Sequence, residues 1–147
     1  MPSNSTSPMS DAGKLEFEHN IVAPAAGIEF AYTIMNKVTA KLVFLTFVFT
    51  TDANVGDRHV HVTREIYGAN LYLGAPSVAC VANKAYRFYC GTGYSNNLMT
   101  TDTHRFVNFP DIRVFPEFSI LTTLTTGIQA GDTFTDIRFI FEMWPSP

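Results

Sequence analysis

Cysteines, basic residues and long apolar runs are scarce in this sequence, and each shortage argues against a class of protein. The two cysteines, Cys80 and Cys90, are too few for a disulfide framework. The ten lysines and arginines are scattered along a chain of net charge −3, which argues against nucleic acid as a partner. The longest apolar run, residues 42–49, is too short to cross a bilayer as a helix, so we expect no membrane partner.

Motifs that mark catalysis or secretion are missing as well. The sequence has no G-x-S-x-G nucleophile motif. Residues 91–93 (GTG) lack the further glycine and the following helix that a phosphate-binding loop requires. The first residues do not combine a basic segment with an apolar one, so we expect no secretory signal. We therefore expect no enzyme activity, no catalytic residues and no cofactor.

What the sequence does contain is a β-rich composition cut into short pieces. Thirteen phenylalanines and six tyrosines favour pleated surfaces. Apolar and polar residues alternate over many short segments separated by Gly, Pro, Asn and Asp, and no long helical stripe interrupts them. This pattern predicts an all-β protein, a jelly-roll-like antiparallel β-sandwich of about eight strands.

Chain length and the local composition predict the domain organisation. The 147 residues suit one domain, which we assign to residues 14–147. Residues 1–13 (MPSNSTSPMSDAG) are small and polar without periodicity, which predicts a flexible N-terminal arm.

Two long segments are expected to form strands, and the first of them to be a central strand. In residues 37–51 simple alternation puts Val38, Ala40, Leu42 and Phe44 on one face and an equally apolar set on the other. A strand that is apolar on both faces is covered on both sides, by the core and by another layer or subunit. Residues 133–144 alternate too, with Ile137, Phe139, Phe141 and Met143 on one face.

Histidines in one strand raise a metal-binding alternative. His59, His61 and Glu65 share a face of a strand, and His104 could add a third imidazole. The spacing resembles part of the cupin signature. However, the alternation turns these side chains away from the apolar face. We expect a solvated or intersubunit strand face and no metal site.

Other reactive or aromatic residues have two interpretations each. Cys80 and Cys90 are expected to be reduced, partly buried thiols, since a simple hairpin does not place them opposite each other. The tyrosines Tyr86, Tyr89 and Tyr94 could form an exposed platform for sugars, or they could belong to the core or a subunit interface.

Four short segments carry a family resemblance. They are residues 21–27 (IVAPAAG), 50–58 (TTDANVGDR), 125–132 (TTGIQAGD) and 142–144 (EMW). In this order they resemble a group of small all-β structural proteins of tailed bacteriophages, and the nearest role is that of a capsid decoration, or cement, protein. The resemblance implies no catalytic residues.

The resemblance also implies partners and a location. The major capsid protein is the expected partner, together with further copies of the chain, a homotrimer being favoured and a dimer possible. The expected location is the capsid surface of the virion after synthesis in the host cytoplasm. The alternatives are a tail, neck or receptor-binding component of the virion, and a cupin-like metal-binding protein.

Overall fold

A computed structural model describes residues 14–76, 78–92, 103–109 and 113–145. The described residues form ten strands: β1 (Lys14–Asn20), β2 (Ala31–Thr33), β3 (Val38–Thr50), β4 (His59–Ile66), β5 (Ala69–Gly74), β6 (Ala85–Thr92), β7 (His104–Phe109), β8 (Arg113–Phe115), β9 (Ile120–Thr126) and β10 (Thr133–Pro145). The predicted arm, residues 1–13, lies outside the described residues. No helix in the described part of the chain is long and apolar enough to cross a membrane.

The strands form two packed sheets whose pairing follows one rule. Sheet A has the order β1-β10-β3-β6-β7, with β8 also paired to β3, and sheet B has the order β2-β9-β4-β5. Apart from β7 and β8, the first strand pairs with the last, the second with the second last, and so on to the β4–β5 hairpin. Such nested pairing is a long hairpin rolled up on itself. The predicted jelly-roll sandwich is therefore confirmed.

Of the two remaining strands, β8 pairs antiparallel with β3, whereas β7 departs from the predicted antiparallel sandwich. β7 runs parallel to β6, with Arg87 opposite His104 and Thr92 opposite Phe109. β7 also approaches β5 of the other sheet so closely that a Cβ on Gly74 would lie 2.8 Å from Val107 Cγ1. This contact closes one side of the sandwich, where an open sheet edge would otherwise remain.

A β-bulge in β3 changes which of its residues face the core. Ile140 lies opposite Phe44 and Phe141 opposite Leu42, so Val43 is an extra residue without a partner in β10. The core face therefore shifts from even to odd positions along the strand, and its buried members are Ala40, Leu42, Leu45, Phe47 and Phe49. The prediction that Phe44 shares the face of Leu42 is wrong, because a bulge moves every following side chain to the opposite face.

The closing strand β10 has the predicted core face and a bulge of its own. Ile137, Phe139, Phe141 and Met143 are all buried, as the alternation predicts. Between Thr135 and Arg138 the register shifts by one residue. Three residues of β10 there span two of β3, which lets Phe134 and Ile137 both face the core despite their odd spacing.

Phenylalanine rings fill the space between the sheets. Phe47 stacks on Phe88 at 4.6 Å between ring centroids, and Phe30 from the loop before β2 meets Phe47 and Phe134 edge-on at 5.2 and 5.5 Å. Tyr32 of sheet B reaches across to Phe139 at 4.6 Å. Each such aromatic pair contributes about 0.5–1.5 kcal/mol beyond its buried area. These aromatic contacts thus hold the two sheets against each other.

Candidate functional site

The histidines of the metal alternative are divided between the two sheets. His59, His61 and Glu65 lie on β4 in sheet B, whereas His104 begins β7 in sheet A. The ring of His61 contacts Tyr72 of β5 edge-on, at 5.6 Å between centroids. Over residues 14–76, 78–92, 103–109 and 113–145, no group of three or more His, Cys, Asp or Glu side chains could hold a metal ion. The spacing that resembles a cupin signature therefore does not produce a shared site.

The two cysteines are not joined in a disulfide, and both are fully buried rather than partly buried as predicted. Burial raises the pKa of the Cys80 thiol to about 12, although the charge of Arg105 opposes the shift. Burial likewise raises the pKa of the Cys90 thiol. Since the thiolate is the nucleophile, neither side chain is prepared for covalent chemistry at neutral pH.

The most developed polar site in the described structure surrounds a buried arginine just before β4. Arg58 is fully buried. Its Nε donates to Asp132 Oδ2 at 3.0 Å, and its Nη2 donates to Asp132 Oδ1 at 3.1 Å and to Asp52 Oδ1 at 2.7 Å. Its Nη1 donates to the carbonyls of Asn54 at 2.9 Å and Gly56 at 2.6 Å. The guanidinium thus uses both of its edges, as a buried arginine requires.

The two carboxylates of this site also bind backbone amides. Asp132 accepts hydrogen bonds from the amides of Asp52 and Gln129, both at 2.8 Å. Asp52 accepts from the amides of Asn54 at 3.0 Å and Gly131 at 2.9 Å. Three loops that are distant in sequence are therefore tied to one another through side chains. We call Asp52, Arg58 and Asp132 the arginine–carboxylate network.

The network also shifts the pKa values of Asp52 and Arg58. Burial alone would raise the pKa of Asp52, but hydrogen bonds from Asn54 and Gly131 and the charge of Arg58 together lower it below its ordinary value. The pKa of Arg58 is raised, chiefly by its hydrogen bond to Asp132. The donors of Arg58 are directed at protein acceptors, so the network is arranged to hold loops together rather than to bind a ligand.

Three of the four resemblance segments meet at this network. Residues 50–58 supply Asp52 and Arg58, and residues 125–132 supply Asp132. Residues 21–27 end at Gly27, whose amide donates to the carbonyl of Asp132 at 2.7 Å. A Cβ on Gly27 would lie 3.2 Å from the backbone of Ala130, and its φ of +79° favours glycine. The segments that carry the resemblance therefore hold one end of the sandwich together.

The sequence of these segments does not reveal the network that they form. Arg58 and Asp132 are 74 positions apart, and no local spacing connects two residues at that distance. One available signal is that each charged residue directly precedes a long alternating strand. A charged residue directly before such a strand can be buried in the sandwich together with the strand.

The outer face of sheet A carries a shallow groove between β3 and β10. Its volume is about 200 Å³, and it is lined by Phe44, Thr46, Arg138, Phe139 and Ile140. Near it Arg87 and Arg138 both bind Asp136, and the Arg87 hydrogen bond is the main reason that the pKa of this carboxyl is lowered. The basic groups beside the groove are thus already committed to a carboxylate.

Tyr86 and Tyr89, two of the three tyrosines that could form a sugar platform, do not share a surface. Tyr86 is buried, with the guanidinium of Arg105 4.5 Å from its ring centroid. Tyr89 is half-buried and stacks on Phe106 at 5.1 Å, as part of the outer face of sheet A. Tyr94 lies outside the described residues. The exposed platform is therefore not formed by Tyr86 and Tyr89 as a pair.

Comparison with known proteins leaves the fold and the network as the basis for any functional argument. The chain matches no protein-family model, no curated protein and no solved structure.

Proposed function

We propose that this chain is a structural protein of a bacteriophage virion, a capsid decoration protein that binds and stabilises the head shell without catalysing a reaction. The observation that carries the proposal is the convergence of three resemblance segments on the arginine–carboxylate network. Those three segments maintain a scaffold and its loops, and a resemblance carried mostly by them is what a shared structural module would produce. The jelly-roll architecture, which viral capsid domains also use, supports the same role.

Two exposed aliphatic side chains indicate which end of the molecule contacts the shell. Val22 and Val55 are 93% and 94% exposed. Val22 follows Ile21, whose amide donates to the carbonyl of Ile137 near the start of β10. Val55 lies in the loop whose carbonyls accept from Arg58. Val22 thus lies beside β10 and Val55 in the loop that Arg58 holds, and we propose both as anchors for pockets on the major capsid protein.

The proposal is tested by mixing the purified chain with undecorated shells of the same virus and measuring co-sedimentation. We expect saturable binding and a decorated shell that survives higher temperature than the bare one. Failure of the wild-type chain to bind the shell would overturn the proposal. Labelling of intact virions separates the head from the alternatives, since density on the tail, neck or host-binding fibre assigns the chain there.

Matched variants identify the contacting end. The double variant Val22→Asp and Val55→Asp is expected to bind at least about tenfold more weakly, because each charge would be buried against the shell. Tyr67→Asp is the control, since Tyr67 is also 93% exposed but lies in the β4–β5 turn, at the other end of β4 from Arg58. Equal losses in both variants would contradict the assignment of the contacting end.

A further inference from the structure

The outer face of sheet B is partly apolar. Leu124 of β9 and Tyr72 of β5 are 53% and 61% exposed on this face. They stand beside His61 of β4, which lies opposite Leu124 in the register and contacts the ring of Tyr72. Large exposed side chains in adjacent strands form a continuous surface rather than isolated exceptions.

The charges on this face are separated along one strand. In the register of the sheet, Thr122, Thr63 and Tyr72 form one row across β9, β4 and β5. One step along the strands on either side of that row, the β4 residue is His61 at one end and Glu65 at the other. The face therefore has a basic end at His61 and an acidic end at Glu65, with a neutral row between them.

That arrangement is complementary to itself. Consider a two-fold axis that lies in the plane of this face and runs perpendicular to the strands, through the Thr63 row. Rotation about this axis stacks β4 of one copy antiparallel on β4 of another. His61 of each copy then lies over Glu65 of the other, and Leu124 over Ile120. The same axis along the strands would instead place like charges together, so the charge pattern selects one packing.

From this complementarity we infer that the outer face of sheet B is a homodimer interface, with a second copy of the chain as its occupant. The inference does not depend on the proposed virion role. Four strands about 4.8 Å apart, and about 20 Å long on average because β2 has only three residues, offer roughly 400 Å² per copy. The total for two copies, about 800 Å², lies below the roughly 1,200 Å² of standard specific interfaces, so the dimer is weak and forms at high protein concentration.

Charge-swap complementation tests the interface. We expect Glu65→Lys to oppose His61 across the axis, and His61→Glu to oppose Glu65, so each variant self-associates at least about tenfold more weakly than wild type. An equimolar mixture of the two variants restores both contacts, because His61 then meets Glu65 and the introduced lysine meets the introduced glutamate. Sedimentation equilibrium from about 10 µM to about 1 mM, at pH about 6 where an imidazole carries partial charge, measures these constants.

The titratable groups on the described strands of this face are His59, His61, Glu65 and Tyr72, since β9 and β2 contribute aliphatic residues and threonines. Lys41→Glu and Glu142→Lys are the matched controls, because this 3.6 Å ion pair lies on the outer face of sheet A. Both controls should associate like wild type, and all variants should keep the wild-type melting transition. A monomeric wild-type chain at the highest concentration, unchanged association in the single variants, or no recovery in the mixture overturns the inference.

Discussion

At the scale of single residues, Arg58 makes more buried polar contacts than its position in a loop suggests. It is fully buried and bound to two carboxylates and two carbonyls. Replacing it with Met keeps the apolar stem but leaves Asp132 buried without its countercharge. We expect Arg58→Met to lower the free energy of unfolding by about 3–5 kcal/mol, measured by denaturant titration.

Arg138 provides the control for that prediction. It also binds an aspartate, Asp136, at 2.9 Å, but its side chain is 50% exposed. Exposed ion pairs contribute about 0–1 kcal/mol, so Arg138→Met should change stability by no more than that. Similar losses in the two variants would show that Arg58 is not a special residue of the fold.

The lowered pKa of Asp52 makes a separate prediction about acid. A carboxyl whose folded pKa lies below its unfolded value, 3.8, stabilises the folded state at pH values above that value. This stabilisation is lost as pH falls through the lower, folded pKa. We expect the wild-type chain to lose stability below about pH 4, and Asp52→Asn to lose less over the same range. Melting curves at successive pH values measure this, and parallel curves for the two proteins would contradict it.

At the scale of elements, alternation predicts the inward face of β10 correctly because that strand follows a period of two over residues 137–143. The bulge at Val43 is different. It lies where the partner of β3 on the edge away from β10 changes from β8 to β6, and the sequence of β3 alone contains no mark of it. For the same reason the arginine–carboxylate network, which joins three distant loops, could be read only from the folded chain.

The bulge in β3 predicts an irregular pattern of tolerance. Leu42 and Leu45 are buried three positions apart, and Val43 between them is 42% exposed. Leu45→Ala should cost about 2–5 kcal/mol through lost packing, whereas Val43→Ala should cost less than about 1 kcal/mol. Denaturant titration of both variants checks this. Equal sensitivity at the two positions would indicate a regular strand instead.

Two turn glycines distinguish the stability cost of a left-handed backbone conformation from that of a steric clash when alanine is introduced. Gly68 and Gly127 both have a φ of +82°, but a Cβ on Gly68 meets nothing within 4 Å, whereas one on Gly127 would lie 2.4 Å from the carbonyl oxygen of Asp57. Gly68→Ala should therefore cost about 1 kcal/mol for the left-handed conformation alone. Gly127→Ala should cost at least about 2 kcal/mol more, because backbone atoms must move. A thermal melt that ranks them in the reverse order would contradict this account.

At the scale of the whole molecule, nested pairing makes the sandwich a cooperative unit. The first and last strands lie side by side in sheet A, and the central pair of β3 and β10 joins both halves of the chain. Few strands can therefore separate without disturbing the others. Local opening should be confined to parts outside this nested set, such as the segment before β6 that contains Cys80.

Thiol labelling tests this cooperativity, because the two cysteines lie in different parts of the molecule. Cys90 is buried within β6 in sheet A, whereas Cys80 lies outside the named strands and pairs with Arg58 through an isolated β-bridge. In the Cys80→Ala and Cys90→Ala variants each remaining thiol can be followed alone. At pH 8 we expect Cys80 to react slowly through local opening, and Cys90 only when the whole sandwich unfolds. The Cys90 rate should then rise with denaturant in proportion to global unfolding, while the Cys80 rate should depend on it weakly. Rapid labelling of Cys90 in native buffer would mean that sheet A opens independently of the rest.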